Sequence, residues 1–297
     1  MDILLIAGFL GAGKTTMIRH LLTFWVKGAG KVAVIVNEFG KIGIDGELLS
    51  TPNVSIIELA NGCICCTIKT DFSKAIQDIY HRGNPSFLIV EASGVSQPSD
   101  ILDAPQDLSA DHLANLRNII TVVDADFFKV RGILGPFYEN QIQCADILIV
   151  NKIDLVGDEI LREIKRQIHK INPNANLVFG QHCAIDLSVL LGEPFENQKR
   201  GRRYEIPTEY KFQTFSYEDS RLIDEAKMRM FLEGLPANIF RCKGWVKFTN
   251  GSFYLDFTSR RYRFEPSRNQ RDTALSFIGR NCDEKQTLND LKKCFYL

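Results

Sequence analysis

Short apolar runs recur from residue 2 to residue 180, and stretches of helical periodicity lie between several of them. The runs are "DILLIAG" (2–8), "KVAVIVN" (31–37), "VSIIEL" (54–59), "SFLIVEA" (86–92), "NIITVVD" (118–124), "DILIVNK" (146–152) and "ANLVFG" (175–180). They are nearly continuous in Val, Ile and Leu, as strands buried on both faces are. "TTMIRHLLTFWVKG" places Ile18, Leu21, Leu22 and Trp25 on one stripe and ends at Gly28. "DEILREIKRQIHKINP" spaces Ile160, Ile164, Ile168 and Ile171 in the same way, with Pro173 just beyond. The alternation predicts an α/β domain with a mostly parallel sheet, right-handed crossovers and helices on both faces.

The pattern changes at "NQKRGRRYEIP" (197–207), which is polar and basic and carries Gly201 and Pro207. The reading is a first domain over 1–197, a linker over 198–207 and a smaller α+β domain over 208–297. Lys199, Arg200, Arg202 and Arg203 read as a solvated connector rather than an anion patch. In the second domain "YKFQTFSY" alternates like a strand and "EDSRLIDEAKMRMFLEGLP" reads as a helix. "FRCKGWVKFTNGSFYLDFT" reads as a hairpin with Asn250–Gly251 in the tight turn. "TALSFIGR" adds a strand and "EKQTLNDLKKCF" a last helix. Arg260, Arg261, Arg263, Arg268 and Arg271 form a basic cluster that reads as a solvated strand edge or, less simply, a dock for an acidic client.

Charge narrows the function classes. Lys plus Arg and Asp plus Glu are each 36, so nothing global favours nucleic acid or an anionic membrane. No run approaches the ~18–20 apolar residues of a membrane helix. The start "MDILLIAGFLGAGKTT" lacks a basic leader segment and runs into a glycine-rich loop, so a cytoplasmic protein is expected. In a reducing compartment, clustered cysteines bind metal or react more often than they form disulfides. Of eight cysteines, Cys144, Cys183, Cys242, Cys282 and Cys294 are dispersed and read as small buried hydrophobes.

"GFLGAGKT" fits G-x-x-x-x-G-K-[ST] between a predicted strand and a predicted helix. Backbone N–H groups around Gly8, Gly11, Ala12 and Gly13 can curl about phosphate oxygens, with Thr16 completing the nucleotide-binding set. Lys14 would reach the β- and γ-phosphates, and Thr15 would offer its hydroxyl to Mg²⁺. "NKID" follows the run "ILIV". A carboxylate at Asp154 accepts from guanine N1–H and its exocyclic amine together, which adenine cannot match, so Asn151, Lys152 and Asp154 point to GTP over ATP. Asp154 could instead cap the following helix. "FLIVEASG" ends a strand with Glu91, a candidate Mg²⁺ ligand through water, and turns through Gly94, whose N–H could sense the γ-phosphate. "VNEFGKIGIDGELL" (36–49) carries Glu38, Asp45 and Glu47 among glycines and suits a segment that responds to nucleotide state. The candidate catalytic residues are Lys14, Glu91 and Glu38.

"NGCICC" puts Cys63, Cys65 and Cys66 past the end of the third run, on the edge where a nucleotide would lie. Three readings stay open on chemistry alone: a thiolate site for Zn²⁺ or Co²⁺, a Cys63–Cys66 redox pair, or packing. As a metal site it lacks one ligand of a closed tetrahedron. Glu38, a histidine, water or the second chain of a homodimer could supply it.

Taken together, "GFLGAGKTT", "VNEFG", "NGCICC", "EASG" and "NKID" resemble, in order and spacing, the CobW-type GTPases. These are metallochaperone-like relatives of the nickel-insertion GTPases for urease and hydrogenase. "RCKGWVKF" and "LSFIGR" resemble that family's second domain. The resemblance implies a phosphate-loop domain, Mg²⁺-dependent hydrolysis of GTP, and Zn²⁺ or Co²⁺ held by Cys63, Cys65 and Cys66 with Glu38 as a neighbour. It implies delivery to a client metalloprotein or cofactor pathway. Regulation of a metallocofactor enzyme without carriage of metal, and redox sensing, are the alternatives. Lys41 stands where many members carry an acid, and the five histidines are scattered, with none after His182. The scarcity of histidines argues against a high-capacity storage role.

Overall fold

The computed structural model describes residues 1–27, 31–36, 54–58, 68–83, 85–98, 113–191, 212–258 and 260–296. They fall into two compact units. The first begins β1 (Asp2–Ala7), α1 (Lys14–Lys27), β2 (Val32–Val36), β3 (Val54–Glu58), α2 (Ile68–Gly83), β4 (Phe87–Glu91) and β5 (Asn115–Asp124). A 3-10 helix (Phe127–Ile133) leads to α3 (Pro136–Gln143), β6 (Ile147–Asn151), a 3-10 turn (Ile153–Leu155), α4 (Asp158–Ile171), β7 (Asn176–Phe179) and the short α5 (Ser188–Leu191). The strands form one seven-stranded sheet in the order β3-β2-β4-β1-β5-β6-β7. Every pairing in it is parallel.

Alternate residues of β1, β2 and β4 enter different cores, which explains their unbroken apolar runs. On one face Leu4, Ile6, Val34, Ile89, Ile120 and Ile149 pack with Met17, Ile18, Leu21 and Leu22 of α1. On the other, Ile3, Leu5, Ile35, Leu88 and Val90 pack with Ile76 and Ile79 of α2. Each fully buried Leu or Ile contributes roughly 1.5–3 kcal/mol relative to exposure. The predicted stripe of α4 is realised at Ile164 and Ile168, both buried. Because the strands run the same way, their carboxyl ends share one edge. Ile6 pairs with Glu91 and Asp124 pairs with Asn151. The strand order reverses beside β1, where open α/β sheets form their ligand crevice.

At the opposite edge, one buried amide secures the entry into β6. Asn172, just past α4, donates from Nδ2 to the carbonyls of Ile142 (2.9 Å) and Ala145 (2.8 Å), with that of Gln143 at 3.2 Å. It thereby satisfies the last carbonyls of α3 on the way into β6.

The second unit comprises β8 (Gln213–Asp219), α6 (Glu225–Gly234), β9 (Ile239–Phe248), β10 (Gly251–Thr258), β11 (Arg261–Pro266), β12 (Thr273–Gly279) and α7 (Glu284–Lys292). Its sheet is antiparallel in the order β11-β10-β9-β12-β8. Phe215, Leu255, Phe257, Leu275 and Phe277 form a core with Met228 and Leu232 of α6 and Leu291 of α7. Phe215 and Phe277 stack with centroids 4.9 Å apart.

Three details here differ from the sequence reading or refine it. The helix read from residue 218 begins at Glu225, because Glu218 and Asp219 pair with Ala274 and Thr273 as the end of β8. Asp224 is the cap, accepting from Lys227 N–H at 3.0 Å. The hairpin is present, but Phe248 pairs with Gly251, so its turn residues are Thr249 and Asn250. Of Asn250 and Gly251 only the glycine takes positive φ, 134°, as the first residue of β10. Arg261 and Arg263 lie on the edge strand β11, where Arg263 sits 3.3 Å from Glu265 and 3.6 Å from Asp256. Arg271 stacks over Trp245 at 4.5 Å. Among the described residues no helix is long and apolar enough to cross a membrane.

Asn172→Leu should lower the stability of the first unit by about 1–3 kcal/mol through orphaned carbonyls, as measured by urea unfolding. An unchanged midpoint would show that those carbonyls do not depend on Asn172.

Candidate nucleotide site

Residues 8–13 join β1 to α1. Gly8, Gly11 and Gly13 take φ of 138°, 71° and 117°. At Gly13 space is limiting as well as backbone: a Cβ there would lie 2.5 Å from Asn151 Nδ2 and 3.0 Å from Cys183 Sγ. Ala12 is buried between these glycines. The loop is pinned by Phe9, whose buried ring stacks on Phe127 at 4.9 Å and meets Phe137 and Tyr138 edge-on at 6.4 Å.

Lys14 opens α1 and is only 5% exposed. Its ammonium donates to the carbonyls of Gly8 (3.0 Å) and Phe9 (3.4 Å), partners a buried cation requires. Thr15 donates from Oγ1 to Glu91 Oε1 at 3.1 Å. Glu91 is 2% exposed at the end of β4. Thr16 is half-buried in the same first turn. Gly94 also belongs here: a Cβ on it would come within 2.8 Å of Leu10 N, so the turn after β4 lies directly against the phosphate loop.

The "NKID" motif enters the same cluster. Asn151, the last residue of β6, donates from Nδ2 to Ala12 O at 2.8 Å and accepts from Cys183 N–H on Oδ1 at 2.8 Å. Both ends of its amide are therefore spent tying the phosphate loop to the turn after β7. Lys152 follows in the left-handed region (φ 61°), which costs a non-glycine residue roughly 1–2 kcal/mol. Its ammonium lies 2.5 Å from Asp124 Oδ2. Asp154 sits exposed in the Ile153–Leu155 turn. It does not cap α4, whose capping position is Gly157, three residues further on.

Two residues of this cluster escaped the motif reading. Asp124 ends β5 and binds three donors: Lys152, and the N–H groups of Asp126 (3.0 Å) and Phe127 (3.1 Å). The signal was a carboxylate closing an apolar run, the same one that marked Glu91. Cys183 is buried, as expected, along with Cys144, Cys242 and Cys294, while Cys282 is half-buried. What its sequence did not disclose is where it is buried. His182 and Cys183 both take positive φ (51° and 56°) inside the Gln181–Ala184 bridge. That turn sets Cys183 Sγ 3.4 Å from Gly13 O. Burial pushes the thiol up to about 12, against a smaller lowering by Lys152.

Glu38, Asp45, Glu47, Lys41, Cys63, Cys65 and Cys66 lie outside the described residues, as does the linker.

Residues 2–179 match the family model described as "CobW/HypB/UreG, nucleotide-binding domain". The chain belongs to this family. Residues 212–295 match the "Cobalamin synthesis protein cobW C-terminal domain", so the resemblance drawn from the motifs holds for both parts of the chain. Among CobW relatives, the "Zinc chaperone CobW" of Pseudomonas aeruginosa is 31% identical over 65% of this chain and 60% of its own length. The protein of the same name from Sinorhizobium sp is 29% identical over 81% of this chain and 80% of its own. The "Zinc chaperone YjiA" of Escherichia coli is 32% identical over 63% and 59%. The chain therefore spans less than two-thirds of the length of the Pseudomonas and Escherichia relatives.

With its thiol near 12, about one Cys183 in ten thousand is thiolate at pH 8, and Cys183 should resist iodoacetamide in the native protein. Asn151→Ala orphans Ala12 O and Cys183 N–H at roughly 1–3 kcal/mol each and should open the turn. Mass spectrometry should then find Cys183 alkylated. Continued protection in the variant would show that the amide does not hold the turn.

Proposed function

We propose that the chain is a GTP-hydrolysing metallochaperone. On this reading it binds Mg²⁺–GTP at the edge of the parallel sheet, takes Zn²⁺ as cargo on Cys63, Cys65 and Cys66, and passes it to a client metalloprotein. The observation that carries the reading is the gathering of three separate motifs at one edge. Thr15 meets Glu91 through a hydrogen bond, and Asn151 ties the phosphate loop to the turn beside it. The zinc assignment is supported by the relatives' printed names and by the C-x-C-C motif, whose thiolates would accept Co²⁺ as well.

Each residue then has a task. Gly8, Gly11, Ala12 and Gly13 would present N–H groups to phosphate oxygens at the start of α1. Lys14 would exchange its loop carbonyls for the β- and γ-phosphates. Thr15 and Glu91 offer hard oxygens in hydrogen-bond contact, a donor set that fits Mg²⁺, Thr15 directly and Glu91 through water. When bound, that ion neutralises charge on the phosphate oxygens. Thr16 would support the phosphates, and the Gly94 N–H, in a turn that lies against Leu10, would report the γ-phosphate. Asp154 would read the guanine edge from a loop that Asn151 and Lys152 position. Glu38 would supply the second catalytic carboxylate beside the thiolates. Residues 1–197 would carry the chemistry and 208–297, after the linker, would meet the client. A homodimer could complete the metal site, and the cytoplasm would supply the reducing conditions that its thiolates need.

Zinc competition titrations of the reduced protein test this directly. With Mg²⁺ and a non-hydrolysable GTP analogue, Zn²⁺ affinity should exceed that with GDP by about tenfold, a coupling of about 1.4 kcal/mol. The Cys63→Ser/Cys65→Ser/Cys66→Ser variant should lose that site. Equal affinities in the two nucleotide states would remove the coupling on which the proposal stands.

A further inference from the structure

We infer that Asp124 is a specificity-determining positioning residue of the nucleotide site, acting through Lys152. The inference rests on the guanine-nucleotide reading above and extends it to a residue outside the recognised motifs.

Asp124 and Asn151 are register partners at the ends of adjacent strands β5 and β6. The turns that leave them must diverge, and two contacts hold them together. Ala125 N–H donates to Asn151 O at 3.0 Å. The Asp124 carboxylate spans the rest, with one oxygen accepting from Asp126 and Phe127 N–H and the other from the Lys152 ammonium. Its side chain is 10% exposed and that of Lys152 is 27% exposed, so the pair is largely shielded from water.

The backbone at Lys152 gives the contact its meaning. Lys152 takes φ 61°, ψ 37° at the start of the Ile153–Leu155 turn, and its carbonyl accepts from Leu155 N–H at 3.1 Å. That single turn carries Asp154. Glycine or asparagine would enter it with less strain. A lysine stays there because its far end is fixed on a buried carboxylate. Freeing the ammonium would leave the left-handed residue without its tether and let the base-reading carboxylate wander. Asp124 touches no nucleotide in this scheme. It sets the angle from which Asp154 approaches the guanine edge.

The test uses the full chain and fluorescent mant-GDP, with GTP and ATP as competitors. Asp124→Asn retains an oxygen for the Asp126 and Phe127 N–H groups and removes the charge that holds Lys152. It should weaken mant-GDP binding about tenfold and narrow the preference for GTP over ATP by a similar factor. KM for GTP should rise while kcat stays within about twofold. Lys152→Gln, which changes a partly exposed residue, should reproduce the loss. The double variant should be no worse than either single one, because both break the same link. A merely structural role would lower the thermal midpoint and leave nucleotide preference intact. Unchanged affinity in Asp124→Asn, or additive losses in the double variant, would overturn the inference while leaving the guanine reading in place. Failure of the wild-type chain to bind mant-GDP would overturn both.

Discussion

A parallel sheet has no face to spare for water, because its crossovers lay helices on both sides. In the first unit the interiors of β1, β2, β4 and β6 are consequently apolar, β5 buries Asn118 and Thr121 with each donating to a backbone carbonyl, and the polar strand residues of the candidate site stand at the carboxyl ends. Glu91, Asp124 and Asn151 are the final residues of β4, β5 and β6. All three are buried, and groups from the loops or from the first turn of α1 bind each of them. The site is thus a by-product of the sheet's own hydrophobic demand. Burial ends where the runs end, and the polar residues standing there inherit a shared, shielded edge.

That logic separates what the sequence disclosed from what it withheld. The strands were legible as apolar runs, and those of β1, β2, β4 and β6 are unbroken because burial on both faces requires it. The phosphate loop was legible because positive φ at several positions demands glycine in a fixed order. Asp124 closes an apolar run visibly enough, but its partner Lys152 is 28 residues away, so nothing local said what the carboxylate holds. Cys183 was hidden for a similar reason. Its contact is with Gly13, 170 residues earlier, and no local pattern encodes it. Such pairings belong to the topology and become visible only when strands are set side by side. The C-x-C-C motif stood out by composition, but chemistry alone left metal, redox and packing readings open, and its residues lie outside those described.

The second unit follows a different rule, and the reading slipped where two local signals competed. Residues 218–224 are rich in the charged residues that open helices, yet cross-strand pairing held 218 and 219 in β8 and the cap at Asp224 delayed the helix. Asn250–Gly251 advertised the right hairpin with the turn displaced by one position. The backbone needed only one residue with positive φ and placed glycine there. On β11, arginines and acids side by side give an outer strand that is charged rather than sticky.

The burial of Phe9 has a thermodynamic consequence. A glycine-rich loop is ordinarily among the most disordered stretches of a chain, and fixing each residue costs roughly 1–2 kcal/mol of conformational entropy. Here an aromatic ring in the middle of that loop is clamped between Phe127, Phe137 and Tyr138. The ordering cost is met once, during folding, from apolar contacts that involve no ligand. Whatever anion enters the loop meets a mould already set and loses little affinity to freezing it.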